Sequence, residues 1–171
     1  IQNHPVGVRS QPLKGSVFHI DLPLGAEKIS LSETTPSLSG GDDRITGARI
    51  LVIDNETTIL EGMESLLKGW GCAVETGLGQ EQVQEALKSA DIPPDLIIID
   101  YHLDNDENGI DCIANIRKMI GKNIPGVVIT ADRTETIKAA VEAEGLYFMN
   151  KPLRPARLRA LIGHMRQEQL F

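Results

Sequence analysis

"RILVIDNE", residues 49–56, is a run of strand-forming apolar residues that stops on a carboxylate and an amide, Asp54 and Asn55. The same shape returns at residues 95–104, "DLIIIDYHLD", where Asp100 ends the apolar run. A strand that is apolar on both faces belongs in a sheet covered by helices on both sides. Two such strands, each tipped by an acid, raise the question of whether the tips meet.

The segments between and after them answer for the fold. In "TTILEGMESLLKGW", Ile59, Leu60, Met63, Leu66, Leu67 and Trp70 recur at helical spacing, and Gly71 is placed to stop the helix. "CAVET" is a short strand and "GQEQVQEALKSA" a polar amphipathic helix, broken by Pro93 and Pro94 before "DLIIID". "GIDCIANIRKMI" sets Ile110, Ile113, Ile116 and Ile120 on one face. "GVVITA", "TETIKAAVEAE", "LYFMN" and "PARLRALIGHMRQE" then complete five strand-then-helix units. This alternation predicts an α/β fold, a doubly wound five-stranded parallel sheet of flavodoxin-like order 2-1-3-4-5.

In such a sheet all strands end at one edge, where ligands collect. The residues at those ends are Asp54 and Asn55, Asp100, Thr130 and Lys151. Clustered carboxylates repel unless a cation lies between them, and an oxygen-lined site suits Mg²⁺. A hydroxyl and an ammonium beside them fit a phosphoryl group, with metal and lysine neutralising its oxygens and a carboxylate attacking. No glycine-rich phosphate loop follows the first strand, which argues against a Rossmann or Walker nucleotide site.

The remainder of the chain differs in character. Residues 1–28 contain two strand-like stretches around Pro12 and Gly15, in "VGVRSQPLKGSVFHIDLPL", and predict a hairpin belonging to a larger sheet. Residues 29–48, including "SLSETTPSLSGGDDRITG", have the composition of a flexible linker, open to ordering by neighbours at its ends but with nothing to bury in a core. Residues 49–171 form the alternating domain. The net charge of −7 argues against nucleic acid or anionic membrane as a partner. Cys72 and Cys112 lack metal or redox spacing, so a reducing cytoplasm is the expected setting. No apolar run reaches the roughly 20 residues of a membrane span; a membrane-associated parent protein is compatible with this.

"ILVIDNE", "IIIDYHLDNDENGID", "VVITAD" and "NKPLRPARL" together resemble the successive signatures of bacterial response-regulator receiver domains. The resemblance covers residues 49 to about 168. It implies that Asp100 accepts phosphate from a histidine, that Asp54 and Asn55 hold Mg²⁺ with the backbone carbonyl of His102, and that Thr130 and Lys151 grip the phosphoryl oxygens. It further implies a cis peptide at Lys151–Pro152. One position departs: the family usually has a second acid where this chain has Asn55. Weaker Mg²⁺ binding is therefore expected, with Asp54, helped by Glu56, carrying more of it. Phe148 stands where receivers often place an aromatic switch residue; without a hydroxyl it could signal only through rotamer and packing.

The opening segment, with "GSVFHIDLP", resembles the terminal hairpin of a histidine-kinase ATP-binding domain. Hairpin, linker and receiver in this order imply a hybrid histidine kinase, a phosphorelay between the kinase's phosphohistidine domain and Asp100, and a histidine phosphotransfer protein as onward partner. The 171 residues contain none of the ATP-binding boxes, so kinase activity is expected of the parent and not of this stretch.

Two competitors stand beside this reading. One is a phosphorylation-independent pseudo-receiver in which Asn55 marks an impaired metal site. The other is a haloacid-dehalogenase-type phosphohydrolase, which needs an acid two residues past the nucleophile, where His102 stands. For the acidic run Asp104, Asp106, Glu107 and Asp111, a solvated loop and helix start is expected, and for Arg154, Arg157, Arg159 and Arg166 a solvated face.

Overall fold

The structure, a computed structural model, describes residues 6–11, 15–20, 45–88, 92–104, 107–168 and 171. The chain divides into two units, residues 1–39 and 40–171. In the first, β1 (Val6–Gln11) pairs antiparallel with β2 (Gly15–Ile20), from Val6↔Ile20 to Gln11↔Gly15. Gly15 closes the register at φ 107°, a backbone conformation that a side chain would disfavour. The expected hairpin is therefore present; its turn at residues 12–14 lies outside the described residues, as do residues 21–44.

In the second unit, β3 (Arg49–Ile53), β4 (Ala73–Gly77), β5 (Leu96–Asp100), β6 (Gly126–Thr130) and β7 (Tyr147–Asn150) form one parallel sheet in the order β4-β3-β5-β6-β7. Five helices intervene or follow: α1 (Thr57–Gly69), α2 (Gln80–Lys88), α3 (Gly109–Ile120), α4 (Glu135–Ala143) and α5 (Pro155–Gln167). This is the expected doubly wound architecture and strand order.

Strand alternation divides the core into two layers. Ile50, Val52, Leu96, Ile98, Val127 and Ile129 face α1 and α5, meeting Leu60, Met63 and Leu67 of the one and Leu158, Ile162 and Met165 of the other. Leu51, Ile53, Ile97, Ile99 and Val128 face α2, α3 and α4. Both layers are almost wholly aliphatic, as a chain with 4% aromatic residues requires.

Three expectations need correction. Residues 45–48, assigned to the linker, are part of the fold: Ile45 and Ala48 are buried in the α1/α5 layer. Backbone bonds from Gly47 N to Gly71 O and from Ala73 N to Ala48 O, both 2.8 Å, sew them to the start of β4. The linker's remaining residues lie outside those described. Ile59, assigned to the buried face of α1, is 38% exposed; the stripe is narrower, Leu60, Met63 and Leu67. Nor is the arginine face of α5 merely solvated, because Arg159 lies over Trp70 and Arg166 over Phe171, each 5.5 Å from the ring centroid.

Candidate functional site

The parallel sheet delivers the candidate side chains to one edge by register alone. Asp100 is the last residue of β5 and pairs with Ile129, so Thr130 follows one step later on β6. Thr130 in turn pairs with Asn150, and Lys151 comes immediately after β7. Asp54 follows β3 directly, its N–H donating to Gly77 O of β4 at 3.3 Å. Asp54, Asp100 and Thr130 are the buried polar side chains among the described residues.

Lys151 connects these tips. Its Nζ lies 3.0 Å from Asp100 Oδ2 and 3.3 Å from Asp54 Oδ2, donating to both. Its N–H donates to Thr130 O at 2.8 Å, which ties the loop after β7 to the end of β6. The Lys151–Pro152 peptide is cis, as expected. Burial pulls the Lys151 pKa down, but the hydrogen bond and charge of Asp100, with those of Asp54, outweigh this and hold it above the ordinary lysine value.

The other lone pairs are also assigned. Asp54 Oδ1 accepts from Glu56 N at 2.9 Å, so this carboxylate also organises the turn into α1. Thr130 Oγ1 accepts from Asp132 N at 3.1 Å, leaving its hydroxyl proton available to a ligand. Glu56 itself is exposed at the α1 N-cap and makes no capping bond with its side chain.

The loop after β5 is closely braced. His102 forms an isolated bridge with Asn108, and Gly109 N donates to Tyr101 O at 2.8 Å. A Cβ on Gly109 would collide with the Asp100 carbonyl, so only glycine lets α3 begin this close to the end of β5. Asn108 caps α3, accepting from Asp111 N at 2.9 Å.

The acidic run is more than the solvated loop expected of it. Asp104 Oδ1 accepts from Asn55 Nδ2 at 2.7 Å, and Glu107 Oε2 accepts from Gln80 N at the start of α2 at 3.4 Å. Asp106 lies outside the described residues. Spacing could not reveal these contacts, since each joins loops 27 or 49 residues apart.

The donor set fits a hard cation. Two buried carboxylates share one ammonium, which leaves one uncompensated negative charge in a partly dry crevice. The oxygens brought together are those of the Asp54 and Asp100 carboxylates, both within 3.3 Å of Lys151 Nζ, and Asn55 follows Asp54 with its amide nitrogen on Asp104. Among the described residues no group of three or more His, Cys, Asp or Glu forms a metal cluster. Two carboxylates held at one strand edge suit Mg²⁺, which is bound through one or two carboxylates and keeps several waters.

A match to the family described as the response regulator receiver domain spans residues 50–163. The chain belongs to that family. The two-component response regulator ARR22 of Arabidopsis thaliana is 26% identical over 117 residues, covering 68% of this chain and 82% of the relative. Two solved structures share the receiver fold. A two-component response regulator from Clostridium difficile superposes with a TM-score of 0.64 at 20% identity, over 71% of this chain and 98% of that one. The Vibrio cholerae chemotaxis protein CheY4 gives 0.61 at 21% identity, over 70% and 98%. The receiver is thus a two-component signalling module, a class that generally uses Mg²⁺ and works with histidine-kinase or phosphotransfer partners. No helix among the described residues is long and apolar enough to cross a membrane.

Proposed function

We propose that this receiver accepts a phosphoryl group on Asp100 within a hybrid histidine kinase. The observation that carries the reading is Lys151 Nζ within 3.3 Å of both buried carboxylates, a cation fixed where an attacking Asp100 and an incoming phosphate would need it. An Asp100 oxygen attacks phosphorus, the P–O bond forms as the P–N bond of a phosphohistidine breaks, and the imidazole leaves with the electron pair. Lys151 and the Thr130 hydroxyl then face the transferred oxygens. Mg²⁺ held by Asp54, Asp100, the His102 carbonyl and Asn55 would supply the remaining positive charge. Hydrolysis, or transfer to a histidine phosphotransfer protein, clears Asp100.

The hybrid-kinase context rests on the β1–β2 hairpin and its "GSVFHIDLP" segment ahead of the receiver. A cytoplasmic setting accords with two unpaired, buried cysteines. The test is Mg²⁺-dependent labelling of the 171-residue chain by a phosphorylated histidine kinase or by acetyl phosphate, with Asp100→Asn as control. Labelling that needs both Mg²⁺ and Asp100 is expected. No labelling, and no response to beryllofluoride, would instead establish the pseudo-receiver.

A further inference from the structure

Asn55 occupies a position beside Asp54 where an amide can help or harm. Its carbonyl oxygen can serve a hard cation or the cation's water, whereas its NH₂ group offers only donors and would face a cation with positive hydrogens. The two orientations differ by a half-turn of one terminal torsion, a soft, roughly two-fold rotation. Something must choose between them.

Asp104 makes that choice. A carboxylate only accepts hydrogen bonds, so the atom of Asn55 that meets Asp104 Oδ1 at 2.7 Å is the nitrogen. The amide oxygen is the atom left over. Asp104 is itself held through its backbone: Glu107 N donates to Asp104 O at 3.2 Å, and Leu103 N donates to Glu107 O at 3.0 Å. The Glu107 side chain accepts from Gln80 N at 3.4 Å, and Asn115 Nδ2 reaches Gln80 Oε1 at 2.8 Å from α3. Asp104 stands two residues after His102, whose bridge with Asn108 braces the same stretch.

We propose that Asp104 is a positioning residue for the cation site, acting through Asn55 by selecting the amide orientation that presents oxygen. This rests on the Mg²⁺ reading of the site given above. It makes Asn55 and Asp104 a matched pair: the acid missing from position 55 is replaced by an amide whose orientation is fixed by an acid on the facing loop.

The test is calorimetric titration of the unphosphorylated 171-residue chain with Mg²⁺, and it needs no phosphotransfer. Asp104→Ala should weaken binding about tenfold, in the range typical of losing a residue that orients a metal ligand. Asp104→Asn, which keeps an accepting oxygen without the charge, should stay within about threefold of wild type. In an Asn55→Ala background, Asp104→Ala should have no further effect. Thermal melts of each variant without Mg²⁺ check that the fold survives. Equal losses for Asp104→Ala and Asp104→Asn, repeated in the Asn55→Ala background, would mean that charge alone acts and would overturn the proposal. So would wild-type affinity in Asp104→Ala. A wild-type chain that binds no Mg²⁺ defeats the site reading itself, a different outcome from variants that fail to differ.

Discussion

β5 and β4 are both five-residue strands of one parallel sheet, yet every residue of β5 is buried whereas in β4 only Gly77 is. β5 is paired on both sides, with β3 and β6, and lies between helix layers; β4 pairs only with β3, at the margin. β5 ends on the candidate acceptor Asp100. β4 ends on a glycine whose only service to the site is a carbonyl that accepts from Asp54 N. The candidate acceptor is carried by a strand that is fully buried and paired on both sides, where side chains above and below fix the backbone that aims it. The margin contributes backbone pairing and little more.

Substitutions can break or sharpen this contrast. Ile98→Ala, at the centre of β5 and 1% exposed, should cost about 3–5 kcal/mol in urea unfolding. Gly109→Ala pushes a methyl into the Asp100 carbonyl, backbone against side chain with no flexible partner to yield. A loss of about 1–3 kcal/mol is expected, with slower labelling of Asp100 by acetyl phosphate at equal protein folded. On β4, Val74→Ala should cost under about 1.5 kcal/mol, since Val74 is only partly buried against the α1/α5 layer. A Val74 loss equal to that of Ile98 would end the distinction between centre and margin.

Two smaller effects follow. Gly62→Ala in α1 meets nothing within 4 Å and should stabilise the fold by about 0.5–1 kcal/mol, read as a raised midpoint of thermal unfolding. The cysteines report the same contrast chemically. Desolvation, with the nearby Glu107 charge, pushes the Cys112 thiol beneath β5 up to about 12. Desolvation also raises Cys72 beside β4, but Arg166 and Arg159 oppose it. Both thiols should resist alkylation in the native state at pH 8, and as pH rises Cys72 should label first, because the thiolate is the reacting form.

Much of this was legible in the sequence because its causes are periodic. Apolar runs such as "LIIID" announce buried strands, and once they are parallel their tips must meet, so Asp54, Asp100, Thr130 and Lys151 could be grouped before any geometry was known. What escaped depends on contacts with no period. Ile45 sits in a stretch whose Ser, Gly and Asp content reads as linker, and its burial in the layer shared with Leu158, Ile162 and Met165 of α5 is a tertiary contact that composition does not describe. Asp104 looks like one acid among several, and its distinction lies in facing Asn55 across 49 residues of chain. Ile59 fits the helical stripe by spacing, yet it is exposed while Leu60, Met63 and Leu67 make up the buried face.

The stitching of residues 45–48 to the start of β4 places the receiver's incoming chain at the beginnings of the strands, with Ile45 wedged in the layer shared with α5. Parallel strands separate beginnings from ends by their full length. Within residues 45–171, the point where the chain enters the fold and the cluster of Asp54, Asp100, Thr130 and Lys151 therefore lie at opposite ends of the strands, so a change in packing at Ile45 need not disturb the cluster.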